Sequence, residues 1–387
     1  MLYNNCMDNN CKIAIGMMSG TSMDGIDAVL VRIDTDFNFE FIEGHSLEYP
    51  TEIKSHLLNA ANNNASVSDI CFLDFATGKL FAQCANELVK KAKKHNILHK
   101  DIDYIASHGQ TIYHMPEQTE IGGIKTGSTL QIGNISVISE LTGITTIGDF
   151  RSRDIAAGGQ GAPLIPFADE LIFKKNKNRA IQNIGGIGNV TVLSNNCETF
   201  AFDTGPGNML IDYFTKKLFD LPFDKDGEIA LTGNIDENWL KFLLEEPYYT
   251  KKPPKSTGRE LFNSEYMNRI YEHAPQNKYN IITTLAALTA HTISDAYKNF
   301  VFPKTSIEEV VLGGGGAYNK AIIKFLHQYL GETILIKTHD DFGIHDKFKE
   351  AIAFAMLGLC TIKQKYNNLP DCTGAQKRVI MGVVSYK

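Results

Sequence analysis

The sequence of 387 residues is sparing in the residues that cross-link or punctuate a chain, with one tryptophan, 12 prolines and seven cysteines. The cysteines (Cys6, Cys11, Cys71, Cys84, Cys197, Cys360 and Cys372) are odd in number and form no C-x-x-C pair. That pattern speaks against a disulfide framework and against a zinc site, and the cysteines read as reduced thiols. No hydrophobic run is long: the most apolar stretch, Ala351 to Ile362, has about half of the ~20 residues that cross a bilayer. The Asn-rich start, Met1 to Lys12, lacks a basic-then-apolar signal pattern, so the expected location is the cytoplasm, with no membrane partner. Basic excess is missing as well. With 38 Lys+Arg against 44 Asp+Glu the net charge is −6, which repels a polyphosphate backbone, and nucleic acid is not an expected partner. There is no G-x-x-x-x-G-K-[ST], and no G-x-G-x-x-G follows a strand, so a P-loop enzyme and a Rossmann dehydrogenase are disfavoured.

What is present is the composition of a globular chain, 43 % hydrophobic and 21 % charged, long enough for two or three domains. Lys12 to Met17 reads as a strand that ends in a Gly-rich turn, followed by strands Ala28 to Ile33 and Phe37 to Phe41. Ser66 and Ser68 cap a helical pattern carried by Leu73, Ala76, Leu80, Cys84 and Leu88. A strand Tyr104 to Ala106 ends at Ser107-His-Gly-Gln-Thr111. The order returns at Arg179 to Ile184, with a loop Gly185-Gly-Ile-Gly-Asn189, two more strands, and Asp203-Thr-Gly-Pro-Gly-Asn208 opening a helix. Two halves therefore share one layout without a residue-level repeat. Strands alternating with helices define an α/β chain. Pro116 to Ser128 and Tyr248 to Arg259 read as exposed loops, either of them a candidate lid.

Glycine loops after strands recur at Gly20 to Gly25, Gly185 to Gly188, Gly205 to Gly207 and Gly313 to Gly316. One such loop is usually only a turn; four suggest phosphate cradles, because glycine lets a ligand approach successive backbone N–H groups. In the first loop, Thr21 and Ser22 are candidate donors to phosphate and Asp24 a candidate Mg²⁺ ligand through water. The same residues also suit a plain solvated turn. Asp203 stands at a strand end before glycines and a helix, where α/β sheets place ligands, although capping is the commoner task of Asp there. Asp149, Arg151 and Arg153 form a charged cluster that reads either as an ion-pair network or as a carboxylate-binding site.

Strand, glycine loop, Asp-Thr-Gly and the late Val311-Leu-Gly-Gly-Gly-Gly-Ala-Tyr-Asn319 resemble the phosphate and adenosine motifs of the actin, hexokinase and Hsp70 superfamily. More closely, Met18 to Asp27, Ser107 to Thr111, Thr129 to Gly133, Gly148 to Asp154, Gly158 to Leu164, Asn183 to Gly186, Asp203 to Asn208, Pro254 to Glu260 and Glu350 to Ala355 resemble anhydro-N-acetylmuramic acid kinase, in that family's order, from about residue 12 onward. The resemblance implies a two-domain actin-like ATPase (ribonuclease H-like) fold with an interdomain cleft. Residues 1–141 with about 348–387 are expected as the first domain and 142–347 as the second. It implies a Mg²⁺-dependent kinase that opens 1,6-anhydro-N-acetylmuramic acid with water and phosphorylates O6 from ATP, in peptidoglycan recycling. Asp203 matches the family's base and Glu350 its second sugar-site carboxylate, with Asp149 standing second as base. ATP is expected at Gly20, Thr21, Ser22, Met23, Asp24, Gly25, Ile26 and Asp27, at Gly185 and Gly186, and its adenosine at Gly313, Gly314 and Gly315. The amino sugar is expected at Gln110, Thr111, Asp149, Arg151 and Arg153. A hexosamine kinase of the same superfamily and a non-enzymatic sugar sensor are the alternatives, and a homodimer stays open.

Overall fold

A computed structural model describes residues 11–174 and 176–387, in two compact units: among these residues, 11–172 with 343–387 form the first, and those from 173 to 342 the second. The expected absence of a signal pattern falls largely on residues outside those described. In the first unit β1 (Lys12–Ser19), β2 (Gly25–Ile33) and β3 (Phe39–Glu48) form an antiparallel meander, while β4 (Tyr104–Ile121) and β6 (Thr146–Gly148) run parallel to β1 and to β4. β5 (Ile124–Ile132) returns along β4, and Val383–Ser385 closes the edge beside β6. The order is β3-β2-β1-β4-β6.

Period-two alternation gives β1 two apolar faces. Ile15 and Met17 join Ile26, Leu30 and Ile105 in a core covered by helix Val67–Ala92. That helix starts at a capping box in which Ser66 accepts from the Asp69 N–H at 3.2 Å and Asp69 accepts from the Ser66 N–H at 2.8 Å. Its buried stripe runs through Leu73, Thr77, Phe81, Cys84 and Leu88; Ala76 and Leu80, expected in it, are only half-buried. On the other face lies helix Lys349–Ile362, so close that a Cβ on Gly16 would stand 1.9 Å from the Ala351 carbonyl oxygen.

Two expectations are corrected. The segment 116–128 is not a loop: β4 runs on to Ile121 and turns through Gly122 and Gly123, both at positive φ, as two-residue hairpins favour. Pro116 is tolerated because the register slips between Met115 and Thr119, where no ladder bond is asked of it. The unit boundary also lies later than residue 141. β6 pairs with β4 and with the C-terminal strand, which ties residues 142–172 to the first unit, and the return to that unit falls at 343.

The second unit repeats the plan with β7 (Arg179–Ile184), β8 (Ile187–Leu193), β9 (Phe200–Pro206), β10 (Glu309–Gly313) and β11 (Leu335–Thr338) in the order β9-β8-β7-β10-β11. Its core unites Ile184, Val190, Phe202, Phe214 and Leu312 with helix Lys278–Ala296, which is buried along most of its length, Thr283, Thr284, Thr289, Thr292 and Ser294 included. Among the described residues no helix is long and apolar enough to cross a membrane.

Candidate active site

In the first unit the turn between β1 and β2 is closed by the Met23 N–H donating to the Gly20 carbonyl at 3.1 Å, with Met23 at φ 55°. The side chains of Met23 and Ile26 sink into the core, which leaves only their main chain to meet a ligand. Thr21, Ser22 and Asp24 stay exposed. Asp24 meets Lys54 at 2.6 Å, and that hydrogen bond foremost, with one from Ser22, holds its carboxyl below the usual range. Asp27 accepts from the Ser46 hydroxyl at 2.5 Å.

Gln110 lies beneath this turn. The parallel register sets Ser19 beside Gln110, whose Oε1 is 2.7 Å from the Ser19 hydroxyl and whose amide N–H donates to the Gly20 carbonyl at 3.1 Å. The Ser19 hydroxyl is also 2.7 Å from the Gly25 carbonyl and accepts from Tyr49 at 3.1 Å. Gln110 is fully buried and its side chain is bonded to Ser19 and Gly20 at the start of the turn, so the structure shows a support of the loop where a sugar contact was expected. Thr111, partly open, accepts from Gln131 at 3.2 Å.

The expected cluster of Asp149, Arg151 and Arg153 is not a mutual ion-pair network. Asp149, exposed at φ 52°, accepts from the Ser152 N–H at 3.2 Å, and Arg153 is exposed without an ion pair among the described residues. Arg151 turns inward. Its Nε and Nη2 lie 3.1 and 2.9 Å from His108 Nε2, and Nη1 donates to the Gly161 carbonyl at 2.7 Å. His108 Nδ1, 3.0 Å from the Gly109 carbonyl, is therefore the protonated nitrogen of a neutral ring. Burial, and then the Arg151 charge, push its pKa down to about 3. The folded state keeps the ring neutral while the unfolded chain takes up a proton below about 6.5, so this contribution to stability is present above that pH and is lost as the pH falls toward 3. The loss reaches about 2 kcal/mol at pH 5. A His108→Gln variant, unable to take that proton, is expected to show a smaller fall in denaturation midpoint between pH 7 and pH 5 than the parent; equal falls would refute it.

Glu350 opens helix Lys349–Ile362, whose start is anchored by a buried Lys349–Asp169 pair at 2.9 Å. The carboxylate is crowded by protein yet open to solvent. Crowding foremost raises its pKa, Lys349 and Arg151 act against that, and Asp27 adds to it. The structure thus gathers Asp27, Arg151 and Glu350 into one electrostatic neighbourhood.

In the second unit the turn Gly185–Gly186 rests on the start of helix Met209–Phe219. The N–H groups of Gly207 and Asn208 donate to the carbonyls of Gly186 and Gly185 at 2.9 and 2.7 Å, and Asn208 Nδ2 donates to the Ile184 carbonyl at 3.0 Å. Of the late glycines, Gly313 and Gly314 are required by packing, since a Cβ would meet the His339 ring at 2.0 Å and Asn183 Oδ1 at 2.7 Å. Gly185, Gly186 and Gly315 are not required by packing, since an added Cβ would meet its neighbours at ordinary contact distance, none nearer than 3.5 Å.

Asp203 sits within β9, where the register slips by one residue between Gly188 and Asn189, the kind of bulge that re-aims a side chain. Its Oδ2 accepts from the Thr257 N–H at 2.9 Å, and Oδ1 has no hydrogen bond among the described residues. Burial foremost raises its pKa, the Thr257 N–H opposes this, Glu260 adds to it and Lys255 opposes it. Asp203 is not the cap expected of an Asp at such a boundary; Asn208 is the residue at the helix start. Sequence reasoning missed Lys255, which lies in a segment read as exposed but is itself buried.

Two α/β units with the same strand order, a meander followed by parallel strands, place the chain in the actin-like, ribonuclease H-like class of folds. Within that class the chain belongs to the anhydro-N-acetylmuramic acid kinase family, whose model matches residues 12–387. It is 43 % identical over 387 residues to the anhydro-N-acetylmuramic acid kinase of Caldanaerobacter subterraneus subsp. tengcongensis, covering 97 % of each chain. The namesakes from Clostridioides difficile and Francisella tularensis subsp. novicida are 42 % and 43 % identical, over 97 % of this chain and 98 % and 99 % of theirs.

Proposed function

We propose that the chain adds water across the 1,6-anhydro ring of 1,6-anhydro-N-acetylmuramic acid while moving the γ-phosphoryl of ATP to O6. Water attacks the anomeric carbon, the C1–O6 bond breaks, and O6 takes the phosphoryl as ADP leaves. Asp203 accepts the proton that water loses, and the product is N-acetylmuramic acid 6-phosphate. The observation that carries this reading is the Asp203 carboxylate: one oxygen is fixed by a backbone N–H and the other is unengaged, as a base that takes a proton from water requires. Glu350 and Arg151 are read as sugar contacts, Arg151 for the lactyl carboxylate, with Thr111, Asp149 and Arg153 as further polar contacts.

For ATP, the open main chain at Gly20 to Ser22 in the first unit, and at Gly185, Gly186 and Gly315 in the second, suits close approach of the nucleotide. Among the described residues no three His, Cys, Asp or Glu side chains gather as a metal cage. Mg²⁺ that is held mainly by phosphates and its own waters needs only one or two carboxylates, and ionised, exposed Asp24 fits such a contact through water. Bound there, the ion would neutralise charge on the β- and γ-phosphates. Mass spectrometry of the product formed in ¹⁸O-water separates this reading from a hexosamine kinase. With the anhydro sugar as substrate, ring opening adds one labelled water, at the anomeric position, whereas phosphorylation of a free hydroxyl adds none, and a product without the added water would sink the hydrolytic step.

A further inference from the structure

Lys255 is buried beside Asp203, and no carboxylate among the described residues lies within ion-pair distance of it. Its ammonium donates to the backbone carbonyls of Tyr248 and Tyr249 at 3.3 and 3.0 Å. It stands over the rings of Tyr248, Phe300 and Phe202, 4.8, 4.9 and 5.9 Å from their centres. A cation so placed is stabilised by ring faces and carbonyl dipoles and not by a neutralising partner, so its charge remains available to a neighbouring acid. The same segment grips the main chain of Asp203 on both sides: the Asp203 N–H donates to the Lys255 carbonyl at 3.1 Å, and the Tyr248 hydroxyl donates to the Asp203 carbonyl at 2.9 Å.

We propose that Lys255 is a positioning residue for the hydrolytic base: its boxed ammonium holds the segment 248–257 against β9 and supplies the positive charge that faces Asp203. This rests on the reading of Asp203 as the base. The other groups that act on the pair are Glu260 and the Tyr248 phenol, both facing Asp203, and Lys251, which faces Lys255. Burial brings the Lys255 ammonium down to about 8, with the Asp203 carboxylate pulling it back up, so the two charges sense each other.

The test uses the full chain with ATP, Mg²⁺ and the anhydro sugar. Lys255→Gln keeps donors for the two carbonyls and removes the charge; Lys255→Arg keeps a charge. The pH dependence of kcat/KM is measured beside the ¹³C-carboxyl titration of Asp203, whose signal is assigned by its loss in Asp203→Asn. In Lys255→Gln both the acidic limb and the Asp203 midpoint are expected to move up by roughly half to one pH unit, and in Lys255→Arg to return toward the parent. A merely structural lysine would lower kcat and leave both midpoints in place, which would overturn the proposal. A shifted Asp203 midpoint with an unmoved kinetic limb would uphold the coupling and take the base role away from Asp203. If Lys255→Gln does not fold, the reciprocal measurement serves, since linkage requires the Lys255 midpoint to fall in Asp203→Asn. An unchanged Lys255 midpoint there would overturn the pairing.

Discussion

Asp203→Asn is expected to lower kcat by roughly 10²–10⁴, the ordinary weight of a general base, with ATP affinity nearly unchanged. The amide keeps the shape of the side chain, and its oxygen can still accept from the Thr257 N–H, so β9 and the segment at 257 stay in place. What is lost is the second oxygen as proton acceptor. Burial has already raised this carboxyl above the usual range, which makes the carboxylate a stronger base and moves the acidic limb of the rate profile upward with it. Below that midpoint activity should fall about tenfold per pH unit, because only the ionised form takes a proton. Near-normal turnover in the variant would transfer the role to Asp149 or Glu350. A variant that loses ATP affinity at unchanged kcat would make Asp203 a nucleotide-site residue instead.

The parts of this site that were legible in the sequence are those written into contiguous residues. Asp203 lies in a strand with glycines and a helix directly after it, and β7 ends where Arg179 to Ile184 was expected to end. The parts that were not legible depend on pairing between distant segments. Gln110 and Thr111 are neighbours in the chain, yet the parallel register of β4 on β1 buries the first under the turn and leaves the second partly open. Lys255, with two lysines and two prolines immediately before it, has the composition of a solvated loop. Only the approach of Tyr248, Phe202 and Phe300, residues 7, 53 and 45 positions away by their numbers in the sequence, turns it inward. The arm at 116–128 misleads for a related reason, because Pro and paired glycines mark a turn in the chain without showing that the strands on either side continue to pair.

Gly20 and Gly25 bound the same turn and look alike in the sequence, but they should respond to substitution in opposite ways. A Cβ on Gly25 would lie 2.4 Å from the Leu47 carbonyl oxygen and 2.9 Å from the Glu48 Cα, both backbone atoms of β3, which cannot yield without breaking the pairing of β2 with β3. Gly25→Val should therefore cost about 3 kcal/mol or more and show itself as lost folded protein, whatever the ligand. A Cβ on Gly20 meets nothing nearer than the Ser22 hydroxyl at 3.9 Å, and its φ lies outside the left-handed region, so the fold should accept a side chain there. If the open space beside Gly20 is where the polyphosphate approaches the backbone, Gly20→Val fills it. Calorimetric titration should then show ATP affinity at least about tenfold weaker, the loss of roughly one good charge-assisted hydrogen bond, with sugar affinity retained. Unchanged ATP affinity in folded Gly20→Val would take this turn out of the nucleotide site. Equal weakening of both ligands would mean that the turn acts through the shape of the first unit and not by touching phosphate.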